Sequence, residues 1–188
     1  AAVLATIAEK DRRSLGLETT ELRLTAFNGS IATVLDRYRR APGKAPDAET
    51  LRRAAAAIRQ DGHPSPAQQL LEFIYVNQLN ERDFSASNFL GLAEIRLEQK
   101  RLPDALALLR RMTLIAGQPF ENLLPASDLL LHFGHAAEAF PFLEQRVKAA
   151  PWDLVARRKL AETKRDTAAL RAIAADPAAP YAQRVAAA

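Results

Sequence analysis

Hydrophobic residues along this chain recur at the spacing of amphipathic helices. Between Leu22 and Tyr38, for example, most apolar residues are three or four positions apart, which places them on one helix face. No segment alternates apolar and polar residues with the period of two that a half-buried strand requires. Alanine is abundant and glycine is scarce, with 7 residues, and both features favour helix. The sequence therefore predicts an all-α protein.

Residues that begin and end helices divide the chain into consecutive helical segments. Thr19 or Thr20 is the predicted N-cap of the first long helix, and Asp47, Ser65 and Ser85 are the predicted N-caps of the next three. The predicted helices span residues 1–13, 20–40, 48–60, 66–80, 86–100, 103–116, 121–133, 136–149, 153–165, 167–175 and 179–187.

Three features interrupt this pattern. Asn28-Gly29-Ser30 is expected to bend or break the first long helix, and residues 41–46 have the proline and glycine content of a linker. Pro141 lies inside the helix predicted over 136–149, where its ring removes a hydrogen bond and clashes with the preceding turn. We expect that helix to begin late or to kink at Pro141.

The second half of the chain is similar to itself at an offset of about 34 residues, which is the length of a helix–turn–helix repeat. Small residues are expected where two antiparallel helices cross closely, and larger apolar residues where neighbouring pairs meet. The aligned positions are Ala93, Ser127 and Ala161 in the first helices, and Ala105 with Ala139 and Leu109 with Leu143 in the second helices.

This period and pattern resemble the tetratricopeptide repeat (TPR) family. The most similar unit spans residues 121–152, with Gly134 at the interhelical turn and Pro151 at the position of the closing proline. The specific resemblance covers about residues 86–165, and Gly117 replaces the closing proline of the unit before. It implies a right-handed α-solenoid of antiparallel helix pairs over residues 46–188. A non-repeat helical N-terminal part with a linker, residues 1–45, precedes it.

In TPR proteins the first helix of each pair lines a concave groove that binds peptides. By alignment, the groove positions in this chain are Leu90, Glu94, Leu97, Glu98, Leu124, Asp128, Leu131, Arg158, Glu162 and Arg165. One TPR subclass grips C-terminal carboxylates with Lys, Asn and Arg at such positions, and this chain lacks that set. The resemblance instead favours a peptide with apolar and basic residues. The alternative, that these positions contact only neighbouring helices or water, stays open.

Charge and composition narrow the function classes further. The net charge is +4, and its whole excess lies in residues 95–188, which is too diffuse to predict nucleic-acid binding. Cysteine is absent, which excludes disulfides and cysteine-ligated metals. No apolar run approaches the roughly 20 residues that span a membrane. The opening segment 1–8 is too short for a signal peptide, and without an initiator Met we expect a piece of a longer precursor, so localisation stays open.

Candidate chemistry is sparse. His132 and His135, with Glu138 nearby, form the one cluster similar to a metal site, but Gly134 is expected to turn the chain between the two histidines. No serine lies in a nucleophile elbow, and no glycine-rich loop could bind phosphate. The basic run at residues 157–165 is interleaved with acidic residues, which favours a solvated helix face. We predict no catalytic residue, no metal and no cofactor.

The sequence thus predicts a non-catalytic scaffold that binds a protein or peptide partner, with no nucleic acid and no membrane span. One alternative is a structural spacer or self-association module of a larger, exported protein, which would form a homo-oligomer. A helical domain that binds a ligand or a metal is the second alternative.

Overall fold

The computed structural model describes residues 17–115 and 120–188, and the regular secondary structure of this part of the chain is helical. It contains eleven α-helices and no strand, which confirms the all-α prediction. No helix in it combines the length and the apolar character needed to cross a bilayer. The helix predicted over residues 1–13 and the glycine at position 117 lie outside the described residues.

The chain folds as two compact units, Ala1–Asp83 and Phe84–Ala188. The first unit contains α1 (Glu18–Phe27), α2 (Ile31–Arg40), α3 (Ala48–Gln60) and α4 (Pro64–Asn80), with a short 3-10 helix at Pro42–Lys44. Helix α3 packs along α4, while α1 packs on α3 and α2 packs on α4.

The domain boundary predicted between residues 45 and 46 falls inside this first unit. Leu22 and Leu35 on one side of that boundary share a single buried core with Leu51, Leu70 and Ile74 on the other side. Residues 46–80 therefore group with the N-terminal helices rather than with the helices that follow.

The described residues of the second unit form seven helices. They are α5 (Ala86–Glu98), α6 (Leu102–Met112), α7 (Leu123–His132), α8 (Ala136–Ala149), α9 (Leu154–Lys164), α10 (Thr167–Ala175) and α11 (Tyr181–Ala187). Two pairs pack most closely, α5 with α6 and α7 with α8, whereas α9 packs less extensively on α10. Between pairs, α5 contacts α7, α8 contacts α9, and α11 packs on α9 and α10. We call α5, α7 and α9 the first helices of their pairs.

The positions aligned by the 34-residue offset are buried in this unit. Ala93, Ala105, Ser127 and Ala139 are 0% exposed, and so are Leu109 and Leu143. A larger side chain at the small positions would push apart helices that contact there, because protein interiors are close-packed. These six positions therefore belong to the buried side of the second unit.

Left-handed residues close six of the helices. They are Gly29, Gly62, Arg82, Lys100, Gly134 and Arg165. At Gly134, for example, its N–H donates to the Leu131 carbonyl at 3.0 Å, and the His135 N–H donates to the Leu130 carbonyl at 2.8 Å. This is the Schellman motif, which reverses the chain within a few residues. The predicted interruption at residues 28–30 is one of these turns, so the first long helix is broken and not merely bent.

The helix N-caps agree with the sequence where the cap is aspartate. The Asp47 carboxylate accepts the Thr50 N–H at 2.8 Å, and Asp166 accepts the Ala169 N–H at 3.0 Å. Ser85 is the N-cap residue of α5, but the cap predictions at Thr19, Thr20 and Ser65 are wrong. Helix α1 begins at Glu18, and α4 begins at Pro64, where the missing proline N–H costs nothing.

Of the two outcomes expected at Pro141, a late start of α8 is wrong. The helix begins at Ala136 and includes Pro141 in its interior. Ala137, whose carbonyl has lost its helical donor, and Pro141 are both exposed. Water can bind that carbonyl on the solvent-facing side, which reduces the cost of the missing hydrogen bond.

Candidate functional site

The first helices of the second unit are linked into one surface. Helix α5 contacts α7 directly, and Lys159 on α9 forms an ion pair with Asp128 on α7. Arg158 continues the link, because its Nε donates to Gln183 Oε1 of α11 at 3.2 Å. We call the solvent-accessible side of α5, α7 and α9 the first-helix surface.

Most residues of the predicted groove reach this surface. Glu94, Glu98, Glu162 and Arg165 are exposed, and Leu90, Leu124, Asp128, Leu131 and Arg158 are partly buried. Leu97 does not belong to the surface, because its side chain is only 5% exposed. Arg165 lies just beyond α9, in the left-handed position with φ 55°, and so marks the edge of the surface.

The repeat places like residues in two rows across the first helices. One row holds Leu90 on α5, Leu124 on α7 and Arg158 on α9. The second row, one helical turn further along, holds Glu94, Asp128 and Glu162. Side chains four residues apart are neighbours on a helix, so each leucine of the first row lies beside a carboxylate of the second. We call Leu90 and Leu124 the apolar row, which Arg158 ends on α9, and we call Glu94, Asp128 and Glu162 the acidic row.

The charges of the acidic row are not equivalent. Asp128 is bound by Lys159, and Glu162 is bound by Arg158 one turn earlier on the same helix. Glu94 is exposed, and within the described residues no ion pair involves it. Among the described residues, the Glu94 carboxylate on α5 thus has no ion-pair partner, whereas Asp128 and Glu162 are both paired with cations of α9.

The basic run on α9 serves mainly to connect helices. Besides Arg158 and Lys159, Lys164 reaches back to α8, where its Nζ lies 3.1 Å from Glu144 Oε1 and 4.4 Å from the centre of the Phe140 ring. The sequence interpretation as a solvated helix face missed these links. Asp128 and Lys159 are 31 residues apart, which is one repeat less one helical turn, so the 34-residue offset could have suggested the contact.

An ion pair also holds the start of α9 in place. Asp153 accepts the Ala156 N–H at 3.1 Å, and its Oδ2 lies 2.7 Å from a guanidinium nitrogen of Arg146. Burial acts to raise the pKa of Asp153, but the Ala156 N–H and Arg146 outweigh it and hold that pKa below its ordinary value. Asp153 is therefore more stable as a carboxylate in the folded chain than in the unfolded chain.

The two histidines lie on either side of an interhelical turn. His132 is the last residue of α7, with its ring edge-on to Phe133 at 5.3 Å, and His135 precedes α8. Gly134 reverses the chain between them at φ 79°. In residues 17–115 and 120–188 no group of three or more His, Asp or Glu side chains is arranged to hold a metal ion.

No protein-family model, curated protein or solved structure matches this chain. The chemistry of the first-helix surface must therefore be inferred from its own residues.

Proposed function

We propose that this chain is a non-catalytic protein-interaction scaffold, in which a TPR-type α-solenoid binds a peptide or protein segment along the first-helix surface. The observation that carries the proposal is the pair of rows formed by Leu90 with Leu124 and by Glu94 with Asp128. Partly exposed leucines beside carboxylates give a partner both apolar contact area and charge recognition.

Burial of the repeat positions supports the TPR-type architecture. Ala93 and Ser127 are fully buried 34 residues apart, and the left-handed turns at Lys100 and Gly134 have the same separation. The third turn, at Arg165, comes three residues earlier than this stride requires. The regular array thus consists of the first two pairs, and Leu90 and Leu124 of the apolar row lie on those same pairs.

The partner segment that fits this surface is apolar and basic. Leu90, Leu124 and Leu131 would contact its apolar side chains, while a lysine or arginine would approach Glu94 at the α5 end. Opposite charge at that end sets the orientation of the segment and speeds its association, whereas the buried leucine contacts supply most of the affinity. A segment with acidic residues at the same place would be repelled.

Peptide display tests the proposal. A random peptide library selected on the wild-type chain should enrich segments with basic and apolar residues, and the variant Glu94→Lys should bind the selected peptides at least about tenfold more weakly. Glu138→Lys is the matched control, since it makes the same charge change on α8. Enrichment of acidic peptides, no enrichment, or equal loss in both variants would count against the proposal.

Self-association is the second candidate function, because α11 exposes two large apolar side chains. Tyr181 and Val185 are four residues apart on its outer side and are 75% and 57% exposed. Two exposed apolar side chains on one helix face offer such a surface to another copy. Sedimentation equilibrium of the wild type and of Tyr181→Ser with Val185→Ser tests this candidate. A chain that stays monomeric at high concentration would exclude it.

A further inference from the structure

The turn between α1 and α2 presents an asparagine followed by a glycine at the surface. Asn28, Gly29 and Ser30 are all exposed. Glycine has no Cβ, so its backbone nitrogen is open to the side chain that precedes it. Asparagine before glycine is for this reason the pair most prone to lose its side-chain amide. The other asparagines of the sequence all precede residues with side chains, and they are Asn77, Asn80, Asn88 and Asn122.

The side-chain amide of Asn28 has no partner among the described residues. Only the backbone of Asn28 takes part in hydrogen bonds: its N–H donates to the Leu24 carbonyl at 3.1 Å, and its carbonyl accepts Ser30 Oγ at 3.4 Å. The side-chain carbonyl carbon is therefore free to turn toward the backbone nitrogen of Gly29.

The next interhelical turn of the first unit has the same backbone conformation but a fixed side chain. Asp61 precedes Gly62, which has φ 85°, and Arg23 donates two hydrogen bonds to the Asp61 carboxylate at 2.7 and 2.8 Å. These bonds hold the pKa of Asp61 below its ordinary value. An ionised carboxylate resists attack by a backbone nitrogen, so the comparison singles out Asn28.

The closed turn keeps the two reacting groups apart. The Gly29 N–H donates to the Ala26 carbonyl at 3.1 Å, and the Ser30 N–H donates to the Thr25 carbonyl at 2.9 Å. With ψ of 5° at Asn28, the Gly29 nitrogen points away from the Asn28 side chain. Attack needs rotation about the Cα–C bond of Asn28, which breaks the Gly29 hydrogen bond. Exposed turns open locally at a low free energy, so such rotation is accessible to the folded chain.

We propose that Asn28 is a site of spontaneous deamidation, in which the backbone nitrogen of Gly29 attacks the side-chain carbonyl carbon of Asn28 when the turn opens. The new N–Cγ bond closes a five-membered succinimide ring. The Cγ–Nδ2 bond breaks, and ammonia leaves with the proton that the Gly29 nitrogen gives up. Water then opens the ring at either of its carbonyls, which leaves aspartate or isoaspartate at position 28.

Both products disturb the turn on which the first unit packs. Each places a negative charge at the C-terminal end of α1, where the helix dipole disfavours it. Isoaspartate also lengthens the main chain by one carbon, which is incompatible with the hydrogen bonds of the closed turn. Ala26 and Ile31 flank this turn, are 3% exposed each and belong to the core shared with α3 and α4. Deamidation should therefore weaken the first unit, which contains no residue of the first-helix surface.

Peptide mapping of the full chain after incubation at neutral pH tests the proposal. Trypsin releases residues 24–37, in which Asn28 is the one side-chain amide, so conversion to the carboxyl mass in this peptide locates the reaction. Residues 83–96, which contain buried Asn88, supply the internal reference. Peptide 24–37 should convert at least about tenfold faster than this reference. An isoaspartyl methyltransferase should label part of the product.

Two variants and one synthetic peptide complete the test. Asn28→Gln should abolish the conversion within residues 24–37, because glutamine would need a less favourable six-membered ring, whereas Asn80→Gln should leave it unchanged. Synthetic peptide 24–37 should deamidate faster than the folded chain, because no turn protects it. The isoaspartate form of the chain should unfold at a lower urea concentration than Asn28→Asp, which carries the charge without the longer main chain.

Other results would overturn the proposal. They are an unchanged mass of residues 24–37, conversion no faster than in residues 83–96, or conversion that persists in Asn28→Gln. Equal rates in the folded chain and in the synthetic peptide would contradict the requirement that the turn opens. An isoaspartate form as stable as Asn28→Asp would contradict the predicted disruption of the turn.

Discussion

Replacing Gly134 with Ala should destabilise the second unit by about 1 kcal/mol, through backbone strain alone. Gly134 has φ 79°, and a Cβ at this position would meet no atom within 4 Å. An L-residue in the left-handed region costs about 1–2 kcal/mol. Alanine also lowers the conformational entropy of the unfolded chain, which stabilises the fold by about 0.4–1 kcal/mol. The net loss in the free energy of unfolding is therefore near 1 kcal/mol.

The equivalent turn at Lys100 supplies the reverse experiment. Lys100 has φ 59° without being glycine, so Lys100→Gly releases the strain that Gly134→Ala introduces. Glycine costs about 0.5–1 kcal/mol in unfolded-state entropy, so the expected gain is smaller, up to about 1 kcal/mol. The two substitutions should therefore shift stability in opposite directions.

Urea unfolding followed by circular dichroism measures both effects. With a slope of about 2 kcal/mol per M, a change of 1 kcal/mol moves the midpoint by about 0.5 M. The slope itself should not change, because neither substitution alters the buried surface. A wild-type midpoint for Gly134→Ala, or a Lys100→Gly variant that loses stability as Gly134→Ala does, would refute the assignment of equivalent turns.

Three further predictions concern packing and charge. Ala139→Leu should destabilise the chain by about 1–3 kcal/mol in urea unfolding, since the position is fully buried between paired helices, whereas the same substitution at exposed Ala137 should not. A double-mutant cycle of Asp128→Asn and Lys159→Met should give a coupling free energy of unfolding of about 0.2–1 kcal/mol. This coupling should shrink in high salt, because both side chains are partly exposed. A coupling that does not depend on salt would contradict the prediction. Asp153→Asn should lower the free energy of unfolding at neutral pH, because the pKa of Asp153 is lower in the folded chain than in the unfolded chain. Such a carboxylate stabilises the fold above its unfolded pKa, and the stabilisation is lost as the pH falls through its folded pKa. The difference between the two proteins should therefore fade below about pH 4. Thermal unfolding against pH checks that effect, and a constant difference between the two proteins would contradict it.

The positions of helices and turns followed from the sequence where a residue type has one strong local role. Asp47 was predictable as a cap, and Gly134 was predictable as a turn, because short side chains and glycine favour those conformations in any context. The sequence also predicted that helices end at residues 100 and 165. The left-handed conformation of Lys100 and Arg165 has no such local signal, because lysine and arginine do not favour it.

The candidate site was less predictable because its chemistry depends on neighbours distant in sequence. Leu97 and Leu131 align in the repeat, yet Leu97 is buried and Leu131 is partly exposed. The internal neutralisation of Asp128 by Lys159 depends on how α9 lies beside α7. Arg146 belongs to no motif, although its guanidinium joins Asp153 to the Phe120 carbonyl. Periodicity therefore predicts which helix face carries the candidate site, and only the packed structure shows which charged side chains of that face have ion-pair partners.

The most direct test of the proposed first-helix surface is an NMR titration with a basic and apolar peptide selected on the wild-type chain. Backbone amide shifts should concentrate on α5 and α7, around Leu90, Glu94, Leu124 and Leu131, and Glu94→Lys should need at least about tenfold more peptide to reach the same shifts. Shifts that concentrate instead on α6 and α8, or that persist unchanged in Glu94→Lys, would contradict the account.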